Sequence, residues 1–134
     1  MKHATLHFDG SCYPTNPGVK MKSAIILQQN RHIPILKSQV IEHPNSTCNK
    51  AEILALIMGL DEALRQGITS LRVFGDSKNT IKYMNPKYKI RKTCPEILRK
   101  LISIARAKRD LFKKFSCQWV PREQNQECDK HTRI

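Results

Sequence analysis

The chain has 134 residues, of which 40% are hydrophobic and 26% charged, with a net charge of +13; this size and balance are typical of a single folded domain over residues 1–134. No apolar run approaches the roughly 18 residues that cross a bilayer, and the sequence begins without a secretory signal, so we expect no membrane partner. Five cysteines without a C-x-x-C pair or zinc-ligand spacing predict reduced thiols in a cytoplasmic protein.

The apolar pattern of the first half predicts three strands followed by one long helix. Alternation of apolar and polar residues marks the first strand and a run of four apolar residues marks the second, and the short connections make the three strands antiparallel neighbours. The predicted strands cover residues 3–12, 19–29 and 32–42. The period then changes to that of a helix, which begins at a capping box of Asn49 and Glu52 and ends at Gly67.

The second half predicts a fourth strand, two helices, a fifth strand and a final helix. These elements are expected at residues 70–76, 77–84, 94–111, 115–120 and 125–134. Thr93 is the expected cap of the second of these helices, and Trp119, which alternates with Phe115 and Cys117, is expected in the core. The order β-β-β-α-β-α-α-β-α predicts an α/β fold, in which helices pack on a five-stranded mixed sheet.

Positive charge is concentrated in the second half of the chain. Residues 1–77 carry eight basic and six acidic side chains, whereas residues 78–134 carry sixteen and five. A basic half of this size predicts a polyanionic partner, most simply a nucleic acid, although a merely soluble basic surface would have the same composition. We expect phosphate contacts from the basic loop residues Lys87, Lys89, Arg91 and Lys92.

Four of the eleven acidic residues fall where predicted elements meet. Asp9 and Asp76 end the apolar parts of the first and fourth strands, so they would lie side by side if these two strands were neighbours. Glu52 shares a helix face with small residues such as Gly59, which would let that face approach the sheet closely. Asp129 lies in the predicted final helix. The pattern therefore predicts that three or four carboxylates converge at one place.

Converging carboxylates repel one another unless cations bind between them. Hard cations such as Mg²⁺ prefer oxygen ligands and keep positions open for water and phosphate, and two such ions about 4 Å apart are a standard device for phosphodiester cleavage. Each acid also has an ordinary structural explanation, as a strand end, a helix cap or a surface residue. Taken together, the four positions favour a metal site that acts on nucleic acid.

An ordered set of short motifs resembles type 1 ribonuclease H over residues 3–130. The set comprises Asp9-Gly10-Ser11, Asn16-Pro17-Gly18, Thr47-x-Asn49-x-x-Glu52, Gly75-Asp76-Ser77 and the run from Trp119 to Asn125 with Asp129 after it. The resemblance implies the strand order 3-2-1-4-5. It also implies endonucleolytic hydrolysis of the RNA strand of RNA/DNA hybrids with two Mg²⁺ or Mn²⁺ ions, giving 5′-phosphate and 3′-hydroxyl ends. The short loops resemble those of archaeal and plant-like members.

The resemblance further implies roles for individual residues. Asp9 would bridge both metal ions, Glu52 and Asp76 would hold the ion beside the leaving oxygen, and Asp129 would help to hold the ion that activates water. The backbone at Gly10 and Ser11 would lie near ribose 2′-hydroxyls, and Asn16 would contact the minor groove. Thr47 and Asn49 would form a pocket for a phosphate of the DNA strand. The substrate-binding residues implied in this way are Gly10, Ser11, Asn16, Thr47, Cys48, Asn49, Lys78 and Arg122.

Three positions depart from the pattern of the family. Cys48 stands where an asparagine is frequent, Lys78 stands where a glutamine is frequent, and the short loop that contains Arg122 lacks the histidine of many members. These departures keep two alternatives open: a non-catalytic module that binds hybrids or double-stranded RNA, and a nuclease of the same fold that acts on another nucleic acid. In each case we expect a monomer.

Overall fold

A computed structural model describes residues 2–132 of the chain and confirms the five-stranded mixed sheet in the order β3-β2-β1-β4-β5. The strands are β1 His3–Tyr13, β2 Gly18–Gln29, β3 Ile35–Ser46, β4 Ser70–Gly75 and β5 Lys114–Trp119. The helices are α1 Cys48–Arg65, α2 Lys78–Tyr83, α3 Glu96–Arg109 and α4 Gln126–Asp129, with 3-10 turns at Arg122–Gln124 and Lys130–Thr132. No helix within residues 2–132 is both long and apolar enough to span a membrane.

The position of β1 at the centre of the sheet decides where the acidic residues lie. It pairs antiparallel with β2 on one side and parallel with β4 on the other. In the parallel pair His7 lies opposite Phe74, so the carboxyl ends of both strands reach the same edge of the sheet. Asp9 and Asp76 each follow that pair by two residues, which places both at this edge.

Helix α1 lies directly on β1 because two glycines allow a close approach. A Cβ atom built on Gly59 would lie 2.6 Å from Cδ2 of Leu6, and one built on Gly10 would overlap the backbone of Ala51. The same interface buries the apolar side chains of both elements, among them Phe8 and Leu56. Close packing of α1 therefore holds its first turn over the end of β1.

The helix starts differ from the predicted ones for reasons of backbone chemistry. Thr47 caps α1, since its Oγ1 accepts a hydrogen bond from the Lys50 N–H at 3.2 Å, so the predicted capping box of Asn49 and Glu52 is wrong. The carboxylate of Glu52 is therefore not used as a cap. Helix α3 begins after Pro95, which occupies the cap position without a side-chain bond, so the predicted cap at Thr93 is wrong. A proline disfavours helical geometry in the residue before it, which prevents an earlier start.

The ends of two other elements, and the burial of one residue, also differ from the prediction. Strand β3 begins at Ile35 because Pro34 cannot donate to the sheet, and it runs on to Ser46. The predicted final helix is reduced to α4 and a 3-10 turn, and its residues 133–134 lie outside the described residues. Trp119 is 40% exposed, so its predicted place in the core is wrong; it ends β5, which is an edge strand with a single neighbour.

A buried ion-pair cluster connects α1 to the edge strand β3. Glu62 is only 4% exposed, and its Oε2 lies 2.8 Å from Nζ of Lys37 and 2.6 Å from Nη2 of Arg65. Burial by itself would raise the pKa of Glu62, but the hydrogen bonds from Lys37, Gln66 and Arg65 outweigh burial and lower it to about 2. The folded state therefore favours the ionised carboxylate.

We expect this cluster to make stability depend on pH at the acid end. The pKa of Glu62 falls from an ordinary value of 4.5 to about 2 on folding, so its stabilisation is complete above about pH 4.5 and is lost as the pH falls toward 2. Glu62→Gln should lower the free energy of unfolding by about 2 kcal/mol at pH 7 and by less at pH 3, as measured by urea denaturation.

Glu42→Gln is the matched control for that measurement. Glu42 lies on β3, the strand that carries Lys37, but it is exposed and its pair with Lys20 is 3.7 Å long, so its loss should change stability by less than about 0.5 kcal/mol. An equal effect of the two substitutions, or an effect of Glu62→Gln that does not vary with pH, would contradict the interpretation.

Candidate active site

Four carboxylates gather where β1, β4, α1 and α4 meet. Asp9 ends the buried part of β1 and is 4% exposed, and Asp129 at the end of α4 is 9% exposed. Asp9 and Asp129 are joined by a side-chain hydrogen bond, and the charge of Asp76 acts on both Asp9 and Glu52. The structure therefore brings together the four acids that the sequence predicts as catalytic and metal-binding.

The environment of Asp9 opposes its ionisation. Burial is the largest cause, the neighbouring charge of Asp76 is the second, and the hydrogen bond with Asp129 adds to both, so the pKa of Asp9 rises to about 8. The Thr132 hydroxyl, 3.0 Å from Oδ2 of Asp9, acts in the opposite direction. At neutral pH a proton is therefore held at this carboxylate cluster.

The environment of Glu52 also opposes ionisation of its carboxyl group. Burial raises its pKa to about 7, and the charge of Asp76 adds to this, although the hydrogen bond with Ser77 and the charge of Arg122 oppose both. Its Oε2 is buried without a hydrogen-bond partner among residues 2–132. Such an orphaned oxygen costs free energy in a folded protein unless a ligand binds it.

The donor set fits hard divalent cations. Within the described residues no three His, Cys, Asp or Glu side chains form a ready-made metal-binding group. The four side chains nevertheless provide only oxygen donors, one of them an orphaned oxygen of Glu52. Burial raises the pKa values of Asp9 and Glu52, and the negative charge of Asp76 adds to both shifts. Mg²⁺ and Mn²⁺ prefer such ligands and would offset the repulsion between these carboxylates.

Several predicted substrate contacts form an open groove beside the acids. The groove has a volume of about 350 Å³ and is lined by Glu52 and Asp76 together with Asn49, Lys78 and Arg122. The Arg122 guanidinium also lies 3.9 Å from the carboxylate of Asp129. The groove thus combines two of the four carboxylates with the positive charge of Lys78 and Arg122, an arrangement suited to a phosphate group.

The remaining predicted contacts have partners within the protein. Asn16 Oδ1 accepts the backbone N–H of Cys48 at 3.2 Å, and burial together with the neighbouring Cys12 raises the pKa of the Cys48 thiol. Ser11 donates its hydroxyl to the carbonyl of Thr132 at 2.5 Å. Thr47 caps α1, and Gly10 lies against the backbone of Ala51.

Trp119 and Lys78 form a stacked pair at the edge of the groove. The Nζ atom of Lys78 lies 4.8 Å from the centroid of the Trp119 ring, a cation–π contact. The indole N–H of Trp119 donates to the carbonyl of Asp76 at 3.1 Å. The half-exposed tryptophan therefore positions both a predicted substrate contact and the backbone of a catalytic candidate.

Three arginines of α3 organise the basic loop at residues 84–95. Arg99 donates to the carbonyl of Lys92 at 2.7 Å, and Arg106 donates to the carbonyls of Tyr83 and Tyr88 at 2.9 and 2.7 Å. Arg109 reaches the carbonyl of Met84 at 2.9 Å. These bonds fix the loop, whose exposed cations are Lys87, Lys89, Arg91 and Lys92.

Sequence reasoning assigned no role to two polar residues at the site. Thr132 is 2% exposed and bonds to Asp9, and Asn125 is 1% exposed and bonds to Asp76. Both belong to the segment around α4, which the sequence presents as a short polar helix without an apolar period. The only local signal is the type of Asn125, since asparagine is frequent immediately before a helix.

Comparisons with known proteins agree on a family. The model of the reverse transcriptase-like family matches residues 7–133. The bifunctional protein Rv2228c of Mycobacterium tuberculosis is 32% identical over 115 residues, which are 86% of this chain and 30% of that protein. The chain thus spans about a third of the length of the curated relatives that it matches.

Solved structures share the fold over nearly the whole chain. The N-terminal RNase H domain of Rv2228c from Mycobacterium tuberculosis has a TM-score of 0.84 and 28% identity, covering 98% of this chain and 91% of that one. RNase H1 of the halophilic archaeon Halobacterium salinarum has a TM-score of 0.82 and 25% identity, covering 96% and 93%. LC11-RNase H1, crystallised with an RNA/DNA hybrid, has the same fold at 23% identity, with a TM-score of 0.78 and coverage of 96% and 92%.

Proposed function

The chain belongs to the reverse transcriptase-like family, with the fold of type 1 ribonuclease H, and from this premise we propose that it hydrolyses the RNA strand of RNA/DNA hybrids. The observation that carries the proposal is the convergence of Asp9, Glu52, Asp76 and Asp129 at one sheet edge, with Asp9 and Glu52 both held at raised pKa values. Acids arranged in this way are costly to a fold unless they perform a function that needs them.

Asp9, which interacts with both Asp76 and Asp129, would bridge two Mg²⁺ or Mn²⁺ ions. Glu52 and Asp76 would hold the ion on the side of the leaving oxygen, and Asp129 would hold the one on the side of the attacking water. Such ions supply an activated water and neutralise the charge that develops on the phosphate. The proton that the cluster holds at neutral pH must leave as the ions bind, so the apparent metal affinity would rise with pH.

The groove beside the acids would hold the scissile phosphate, with Lys78 and Arg122 as its cations. Asn16 would contact the minor groove, and Thr47 and Asn49 would form a pocket for a phosphate of the DNA strand. Cys48, between them, would contact the RNA strand. The backbone at Gly10 and Ser11 would contact ribose 2′-hydroxyls, the groups that distinguish RNA from DNA. The basic loop at residues 84–95 would hold phosphates further along the duplex through counterion release.

A panel of labelled substrates tests the proposal. The full chain is incubated with RNA/DNA hybrid, double-stranded RNA and double-stranded DNA, each with Mg²⁺, Mn²⁺ or EDTA. We expect cleavage of the RNA strand of the hybrid alone, dependent on metal, with products that carry 5′-phosphate and 3′-hydroxyl ends. Sedimentation of the same preparation should show a monomer.

The other outcomes of the panel identify the alternatives. Equal cleavage of double-stranded RNA would reassign the substrate to another nucleic acid within the same fold. Tight, salt-dependent binding of hybrid without turnover under every metal condition would replace the enzyme by a non-catalytic binding module. Activity that survives in EDTA would contradict the role of the four acids.

A further inference from the structure

Asn125 occupies a central place among the elements that carry the carboxylates. It is 1% exposed and precedes α4 directly. Its Nδ2 donates to the carbonyl of Phe8 at 3.0 Å and to Oδ2 of Asp76 at 3.2 Å. Its own carbonyl accepts the backbone N–H of Asp129 at 3.0 Å. One residue thus contacts Asp76 itself, the peptide beside Asp9 and the backbone of Asp129.

The orientation of the Asn125 amide follows from its neighbours. The carbonyl of Phe8 and the carboxylate of Asp76 are both acceptors, so the NH₂ group must face them. The Oδ1 atom then lies buried without a donor among residues 2–132. Because a buried acceptor without a donor lowers stability, stability of the fold does not by itself account for an asparagine at this position.

The chemistry of an amide suits this position better than that of other donors. A lysine or arginine at this position would pair with Asp76 and compete with a divalent cation for the charge of Asp76. A carboxylate at this position would repel Asp76. A neutral amide orients the Asp76 oxygen and leaves the full negative charge available. Partners of this kind behind metal-ligating groups affect metal affinity strongly although they do not touch the metal.

We propose that Asn125 is the positioning residue of the carboxylate cluster, which holds Asp76 and joins the ends of β1 and α4 so that the acids can bind divalent cations together. The proposal deepens the proposed function and rests on it, since it assigns to a buried amide the geometry of the metal-binding groups. Asn125 does not line the groove with Lys78 and Arg122, so it acts through Asp76 and not on the substrate.

The test compares Asn125→Ala and Asn125→Ser with the wild-type chain. Mn²⁺ affinity is titrated calorimetrically in the absence of nucleic acid, and kcat and KM are then measured on the hybrid at several Mn²⁺ concentrations. We expect Asn125→Ala to bind Mn²⁺ about tenfold or more weakly, with a reduced kcat at low Mn²⁺ and an unchanged KM for the hybrid. Asn125→Ser, which keeps one donor, should lose less.

Ile102→Ala provides the control for a general loss of stability. Ile102 is fully buried in α3, a helix that carries none of the four acids, so its truncation should lower the melting temperature without changing the Mn²⁺ affinity. The proposal is overturned if the folded Asn125 variants bind Mn²⁺ within twofold of the wild type, or if Ile102→Ala weakens Mn²⁺ as much as they do. Because the metal titration needs no substrate, it decides the role of Asn125 even where the wild-type chain cleaves nothing in the panel.

Discussion

Replacing Asp76 with asparagine should abolish cleavage of the hybrid while leaving the hybrid bound. The variant keeps the shape of the side chain and its bond to the Asn125 amide, but it removes a charge that would hold a divalent cation. Metal ions contribute several kcal/mol to such reactions, so at about 1.4 kcal/mol per tenfold the rate should fall by about 10³-fold or more. Binding should persist because the basic loop is unchanged.

The rate is measured under single-turnover conditions in Mg²⁺, and binding is measured in EDTA. Asp61→Asn is the matched control, since it removes the same charge from α1 at a half-exposed position paired with Lys108. That variant should cleave at the rate of the wild type. Full activity of Asp76→Asn, or a comparable loss in Asp61→Asn, would exclude the proposed role of Asp76.

The second large effect should come from Gly10→Ala, which we expect to destabilise the fold by about 3 kcal/mol. A methyl group at this position would overlap the backbone of Ala51 and Glu52. Backbone atoms cannot rotate away as a side chain can, so α1 would have to move off β1. That movement would also separate Glu52 from Asp9, and both unfolding free energy and cleavage should fall together.

Urea denaturation measures the change in stability, and Gly59→Ala serves as its control. The new methyl group at Gly59 would lie 2.6 Å from Cδ2 of Leu6, which is the end of a flexible side chain and can move. The gain in helix propensity of about 1 kcal/mol offsets part of that cost. A Gly10→Ala variant as stable as Gly59→Ala would show that α1 shifts on the sheet without cost.

Much of the fold could be predicted from the residues because periodicity is a local property. Alternation and short apolar runs identified the five strands, and the helical spacing identified α1 with its small face toward the sheet. The placement of Asp9 and Asp76 followed from a single further assumption, that the first and fourth strands are neighbours. The resemblance to a family supplied the strand order that periodicity alone does not contain.

The errors concern features that depend on distant parts of the chain. Thr47, and not Asn49, caps α1 because β3 continues to Ser46, where it pairs with Gly18 of β2, and no local pattern fixes that endpoint. Trp119 fits the alternation of β5, but β5 lies at the edge of the sheet, where the alternating face is only half covered. Burial of a residue depends on its neighbours in space, which the local pattern does not reveal.

The charged residues of the candidate site could be predicted from the sequence, but the residues that form hydrogen bonds with them could not. Carboxylates are few in a basic chain, so each position was informative. The amide of Asn125 and the hydroxyl of Thr132 act through contacts with residues more than 40 positions away. Such contacts exist only once the sheet edge and the segment around α4 have come together.

The three arginines of α3 show that a count of positive charges overestimates the number of side chains available to bind a polyanion. The guanidinium groups of Arg99, Arg106 and Arg109 are bound to peptide carbonyls, and lysines in their places would leave the isoelectric point nearly unchanged. A lysine has no planar fork of donors to join two carbonyls as Arg106 does. Replacement of these arginines by lysine during evolution would therefore keep the net charge but would remove the hydrogen bonds that fix the loop.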